Sequence, residues 1–178
     1  MINKVEYENA VKKTIDYFKK AGIKITEEEK LKIEVVDFGL SNLKEVGLQI
    51  LTYVNTERVC AKEMVLFPYQ TCPQHKHIDS EKAKGKEETF RCRKGKVFLY
   101  IEGEGKREDI KGKIPPTDVK VFKQIELNEG EQYTLFPNTW HWFQAEKNGA
   151  IISEFSTMST DETDMFLDER IKRKMEIV

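Results

Sequence analysis

The sequence predicts a mainly β protein, an antiparallel β-sandwich or barrel with a helix at each end. Three observations lead there. From about residue 46, short apolar or alternating runs rich in β-forming residues follow one another closely. Gly103, Gly105, Gly112, Pro115-Pro116, Gly130 and Gly149 punctuate them. On either side of this stretch the apolar residues change to helical spacing.

At the N-terminus, "EYENAVKKTIDYFKKAG" sets Val11, Ile15 and Phe18 on one helical face, with Gly22 as the stop. "ITEEEKLKI" offers Thr26 as a cap with Glu29 three residues on, a capping box that opens a short second helix. The strand-like runs are then "GLQILTYV", "VCAKEMVLFP", "KVFLYIEGEG", "VKVFKQIEL", "QYTLF", "WHWFQAE" and "AIISEFS". The tail "STDETDMFLDERIKRKM" returns to helix, with Thr160 or Asp161 as its cap. No repeat, low-complexity segment or linker interrupts the chain. The expectation is one unit over residues 1–178: a helical region over about 1–45, the barrel over about 46–158 and a helix over about 160–176.

Charge and cysteine usage narrow the setting. Lys and Arg number 30 against 31 Asp and Glu, so the net charge is −1 and no basic stripe points to nucleic acid or an anionic membrane. No run approaches transmembrane length, and the N-terminal residues lack a signal-peptide core. Cys60, Cys72 and Cys92 are odd in number and lack a CxxC spacing, which argues against a disulfide framework and for a reducing cytoplasm.

The chain contains three histidines, and all fall in one pattern. In "CPQHKHIDSEKAKGKEETFRCRKG", His75 and His77 are two apart, so on a strand they point the same way. By the same parity Lys86, Glu88, Phe90 and Cys92 share a face, with Glu87, Thr89 and Arg91 on the other. His141 lies in "FPNTWHWF", opposite Trp140 and Trp142, which become outer-face packing or a subunit contact. Three imidazoles and one carboxylate converging inside a barrel make a four-ligand site with room for water or substrate. Imidazole plus carboxylate suits Mn, Fe, Co, Ni or Zn. Glu87 is the rival ligand on its neighbour's strand. Cys92 can line the cavity or serve as a small buried hydrophobe.

The HxH pair, Glu88 with Gly95 after it, and the later Gly130, Pro137 and His141 resemble the two-motif signature of the cupins, small barrels that bind a divalent metal through three His and one Glu. Ten residues separate His77 from Glu88, longer than the commonest cupin spacing. That gap, with "QTCPQHKH" and "GKEETFRCRKGKVFLYIEGE" around it, is similar to the cupin-type D-lyxose isomerases over roughly residues 60–160. The resemblance implies a cupin barrel, a metal on His75, His77, Glu88 and His141, manganese first, and D-lyxose/D-xylulose with D-mannose/D-fructose as substrates.

Aldose–ketose isomerisation needs a Lewis acid on the sugar oxygens, a base for the carbon-bound proton and a proton donor for oxygen. Lys86 shares the inward face of Glu88, and Glu154 is a lone charge within "IISEFS". The resembling isomerases carry a Lys two positions before the metal-binding Glu and a Glu in a late strand, which Lys86 and Glu154 match. Glu154 is then the carbon base and Lys86 the donor to oxygen, with the reverse assignment left open. Asp161 and Asp164 stand either at the pocket rim or as helix caps. Rival readings are a cupin isomerase of phosphorylated sugars, a non-haem iron dioxygenase and a non-enzymatic sugar-binding cupin. A homodimer is expected, since barrels with exposed edge strands pair them across a two-fold axis.

Overall fold

A computed structural model describes residues 2–79, 84–160 and 163–173. Helix α1 spans Lys4–Lys20; the Asn3 side chain accepts a hydrogen bond from the Glu6 backbone N–H at 2.9 Å, and the helix ends at Ala21 before Gly22, whose φ is +72°. Phe18 is fully buried, while Val11 and Ile15 sit half-buried beside it. Helix α2, Glu27–Lys30, has the Thr26–Glu29 capping box.

The strands are β1 Glu34–Val36, β2 Leu48–Asn55, β3 Cys60–Leu66, β4 Thr71–Lys76, β5 Glu88–Ile101, β6 Lys123–Asn128, β7 Gln132–Leu135, β8 His141–Ser156 and β9 Met165–Phe166. They form one antiparallel sheet in the order β1-β2-β3-β8-β4-β9, with β5 paired to β6, β7 and β8. Helix α1 covers the outer face where Val35, Leu51, Val65 and Ile151 lie. The inner faces of the strands hold a separate apolar core that includes Leu48, Met64, Phe90 and Phe143.

Strands β5 and β8 make the barrel. They pair from Glu88↔Ser156 to Ile101↔His141. The register slips between Cys92 and Lys94 and again between Gly95 and Val97, and these bulges bend both strands together. Gly95 has φ +80°, and a Cβ there would collide with the carbonyl oxygen of Gly149, so the bend requires glycine. "WHWFQAE" and "AIISEFS" are accordingly one curled strand rather than two. Strand β1, inside the expected helical region, pairs with β2.

The C-terminal helix expected over 160–176 is corrected where the structure describes it. Residues 163–173 hold no α-helix; Asp161 and 174–178 lie outside the described residues. Strand β9 occupies that stretch instead. Phe166 lies opposite His75, and the Leu167 N–H donates to Gln74 O at 3.0 Å. The open edge of β4 offers these backbone groups partners that a helix would deny them, and tertiary pairing overrides local helix propensity. Trp142 is fully buried on the outer face, stacked on Tyr100 at 3.8 Å, with its indole N–H donating to Val121 O at 2.8 Å. The chain's own 119–122 segment covers it, which rules Trp142 out as a subunit contact.

Candidate metal centre and active site

The curl brings together residues far apart along the strands. Glu88 and His141 stand near opposite ends of the β5–β8 ladder, about 40 Å of extended chain apart. Yet His141 Nε2 is 3.2 Å from Glu88 Oε1, and His77 Nε2 is 3.1 Å from the same oxygen. One ligand atom from each of His75, His77, Glu88 and His141 lies within 4.8 Å of every other, and all four residues are buried. Glu87, by contrast, is exposed.

Each imidazole is held by its other nitrogen. His75 Nδ1 is 2.9 Å from Pro73 O, His141 Nδ1 is 3.0 Å from Thr139 O, and His77 Nδ1 is 2.5 Å from Asp164 Oδ1. A carbonyl or carboxylate only accepts, so the proton of each neutral ring belongs on Nδ1 and the Nε2 lone pair is left for the centre. Pro73 explains part of this: it cannot donate to the β4–β8 ladder, the register slips between Cys72 and His75, and its carbonyl receives His75. His141 Nε2 is buried and, despite its proximity to Glu88, has no partner in hydrogen-bond geometry among the described residues. That orphaned nitrogen, grouped with a ring nitrogen each from His75 and His77 and with the Glu88 carboxylate, fits a divalent cation of the Mn-to-Zn series.

The electrostatics favour a neutral His75 and an ionised Glu88, and with no cation between them His77 shares a proton with its two carboxylates. Burial, then the neighbouring imidazoles, push His75 well below its ordinary pKa, so the ring stays neutral. Burial lowers His77 too, but Glu88 and Asp164 outweigh it and raise the ring to about 9. Burial would lift Glu88, yet Lys86 and the imidazoles hold it well below the carboxylate range. Cys72, which also borders the pocket, is pushed up by burial and by Glu88 and stays a thiol. Cys92 is a small buried hydrophobe whose Sγ lies 3.7 Å from Lys94 O, away from this pocket.

Beside the cluster lies a half-open pocket that ligand side chains border. Phe90 and Phe143 make its apolar wall. Lys86 Nζ is 2.8 Å from Glu88 Oε2 and 3.1 Å from Glu154 Oε1, and both Lys86 and Glu154 are buried. Five of the six residues singled out from the sequence line this pocket, and His141, the sixth, stands behind Glu88 with Nε2 3.2 Å from its Oε1. Three more line it: Lys62 and Arg173, which the sequence did not single out, and Asp164, for which it left rim and helix cap open. Lys62 projects inward from β3. Asp164 sits against His77 rather than capping a helix. Arg173 reaches the pocket while paired to Glu34 at 2.6 Å. Strand parity through Cys60, Lys62 and Met64 was the available signal for Lys62; no local signal pointed to Arg173.

A curled antiparallel sheet enclosing three imidazoles and a carboxylate defines a cupin-type barrel with a candidate metal centre. Residues 10–178 match the family model described as D-lyxose isomerase. The chain belongs to that family, and is a sugar isomerase. It is 55% identical over 180 residues to the D-lyxose/D-mannose isomerase of Thermosediminibacter oceani, covering 99% of each chain. It is 51% identical over 171 residues to the D-lyxose ketol-isomerase of Cohnella laeviribosi, covering 94% of this chain and 93% of the relative. Among solved structures, L-ribose isomerase of Acinetobacter sp. DL28 in complex with L-ribose superposes with a TM-score of 0.75 at 15% identity, covering 96% of this chain and 94% of that one. At that identity the likeness speaks for the fold alone.

Proposed function

We propose that this protein interconverts D-lyxose and D-xylulose, with D-mannose and D-fructose as the related pair, by moving a proton between C1 and C2 through an enediol. The observation that carries the reading is the buried Lys86–Glu154 pair, 3.1 Å apart, beside a four-ligand cluster. An acid and a base within hydrogen-bond reach of one pocket are what the proton transfers need. The names of the relatives that share half its residues support the same substrates. They do not favour the phosphosugar, dioxygenase or binding-protein readings.

His75, His77, Glu88 and His141 would hold a divalent ion, Mn²⁺ ahead of Zn²⁺, Fe²⁺, Co²⁺ or Ni²⁺. Bound there, it supplies Lewis acidity toward the sugar oxygens. Glu154 takes the proton from C2 and returns it to C1. Lys86 gives a proton to the C1 oxygen and recovers one from the C2 oxygen. Phe90 and Phe143 restrict water at the reacting carbons. A pocket of this kind separates two sugars that differ by one hydroxymethyl group by only about 1–3 kcal/mol, so overlapping substrates follow.

The test is metal-stripped protein incubated with D-lyxose, with and without Mn²⁺, followed for D-xylulose. Turnover restored by the ion is expected. No turnover of either D-lyxose or D-mannose with any of the five ions would overturn the reading.

Two finer expectations belong here. A homodimer is proposed through the outer face opposite the pocket. One register row there runs Val54, Ala61, Phe155, Thr89, Thr134, and Phe155 is 50% exposed with Tyr53 at 43% nearby. A cytoplasmic setting is proposed from Cys60, Cys72 and Cys92, all buried and unbridged. No helix among the described residues is long and apolar enough to cross a membrane.

A further inference from the structure

We propose that Lys62 is a positioning residue for Glu154 and that, with Ser159, it decides which carboxylate oxygen meets the sugar. The inference rests on Glu154 being the carbon base. Lys62 is 5% exposed on a strand whose other inward residues, Cys60, Met64 and Leu66, are apolar. An ammonium in such a place is costly by several kcal/mol unless its partners compensate. It stands directly across the ladder from Glu154, with Nζ 3.9 Å from Glu154 Oε1 and 2.8 Å from Ser159 Oγ.

The donors around Glu154 are asymmetric. Lys86 Nζ reaches Oε1 at 3.1 Å and Ser156 Oγ donates to the same oxygen at 3.0 Å, while Lys62 approaches it from β3. Oε2 takes no hydrogen bond among the described residues, and Glu154 lines the pocket. A carboxylate held this way has one oxygen committed to the protein and one left for a carbon-bound proton. Lys62 is itself pinned. Ser159 N donates to Asn55 Oδ1 at 3.1 Å, and Asn55 Nδ2 donates to Ser159 O at 3.0 Å. The chain Asn55–Ser159–Lys62 thus ties the base to the end of β2, outside the reacting groups. Misplacing a reacting group by 1 Å is enough to slow a reaction about 100-fold, so such a tether has a kinetic consequence.

The experiment uses the Mn²⁺-loaded enzyme with Lys62→Met, which keeps most of the side-chain volume and removes the charge, and Ser159→Ala, which removes the ammonium's anchor. Metal content and thermal midpoint are measured first. Lys62→Met is expected to lower kcat for D-lyxose about 10- to 100-fold with KM changed less than about threefold, and Ser159→Ala to lower kcat by about 3- to 10-fold. With D-lyxose deuterated at C2, the isotope effect on kcat should rise in both variants, because proton abstraction becomes the slower step. A fully loaded Lys62→Met enzyme with kcat within about threefold of the parent, or with its loss confined to KM, overturns the proposal. Should Lys62→Met fail to fold or load, unchanged kcat in Ser159→Ala overturns it instead. Glu154→Gln is the control: if it keeps full activity, the assignment of the base has failed, whatever Lys62 does.

Discussion

Removing the Asp164 carboxylate should weaken metal binding without touching a ligand. Asp164 Oδ1 lies 2.5 Å from His77 Nδ1, with side-chain exposures of 9% and 4%. A buried hydrogen bond to a charged acceptor contributes about 1.5–3 kcal/mol. Outer partners of metal-bound imidazoles, judged by their removal, are worth about 10- to 100-fold in affinity, or about 1.4–2.7 kcal/mol. The two scales agree, so Asp164→Ala should raise the Kd for Mn²⁺ by about 10- to 100-fold. Asp164→Asn keeps an acceptor oxygen and loses the charge, so about half that free energy, three- to tenfold, is expected. The assay is a Mn²⁺ titration against a competing chelator at fixed pH, read by calorimetry. A Kd for Asp164→Ala within about twofold of the parent would refute the reasoning, since it would mean that His77 is oriented without its carboxylate.

Asp168 yields a pH prediction. Hydrogen bonds from the Arg170 side chain, then the backbone N–H groups of Arg170 and Asp118, hold its carboxyl at about 2. A depressed carboxyl stabilises the fold above its unfolded pKa near 3.8, and that contribution disappears as pH falls through about 2. Arg170 is largely solvated, so screening limits the contribution to about 1 kcal/mol. Asp168→Asn should lower Tm by about 2–4 °C at pH 7, with the gap closing toward pH 2; a gap that persists there would contradict the assignment. The proposed dimer face is tested by Phe155→Glu, which should halve the mass seen by light scattering. A parent protein that is already monomeric refutes the dimer, and a variant that stays dimeric puts the contact elsewhere.

Much of the site was legible because strand parity is a strong rule. The two-residue spacing of His75 and His77 sends both rings inward while the ammonium of the intervening Lys76 lies 4.8 Å from the centre of the Trp140 ring, and the same rule chose Glu88 over Glu87. Lys86 precedes β5, yet its ammonium still lies on Glu88 and Glu154. Lys62 obeyed parity as well and was passed over, because one lysine in a lysine-rich chain reads as a surface charge. The C-terminal segment went wrong for a different reason. "DETDMFLDERIKRKM" has helical composition, but Phe166 and Leu167 meet the free edge of β4, and Asp164 meets a histidine that lies 87 positions away.

By itself the chain determined its alternation: which residues turn inward on each strand, and hence which imidazoles and carboxylates share a face. Those are consequences of backbone geometry acting over a few residues. Only the tertiary structure decided that β5 and β8 curl far enough to set Glu88 against His141, that the tail closes over β4, and that Asn55, Ser159 and Lys62 fasten one oxygen of Glu154. Curvature and edge pairing depend on the whole sheet, where small bends at several bulges add up and distant backbone groups find partners, and no short window of sequence contains that information.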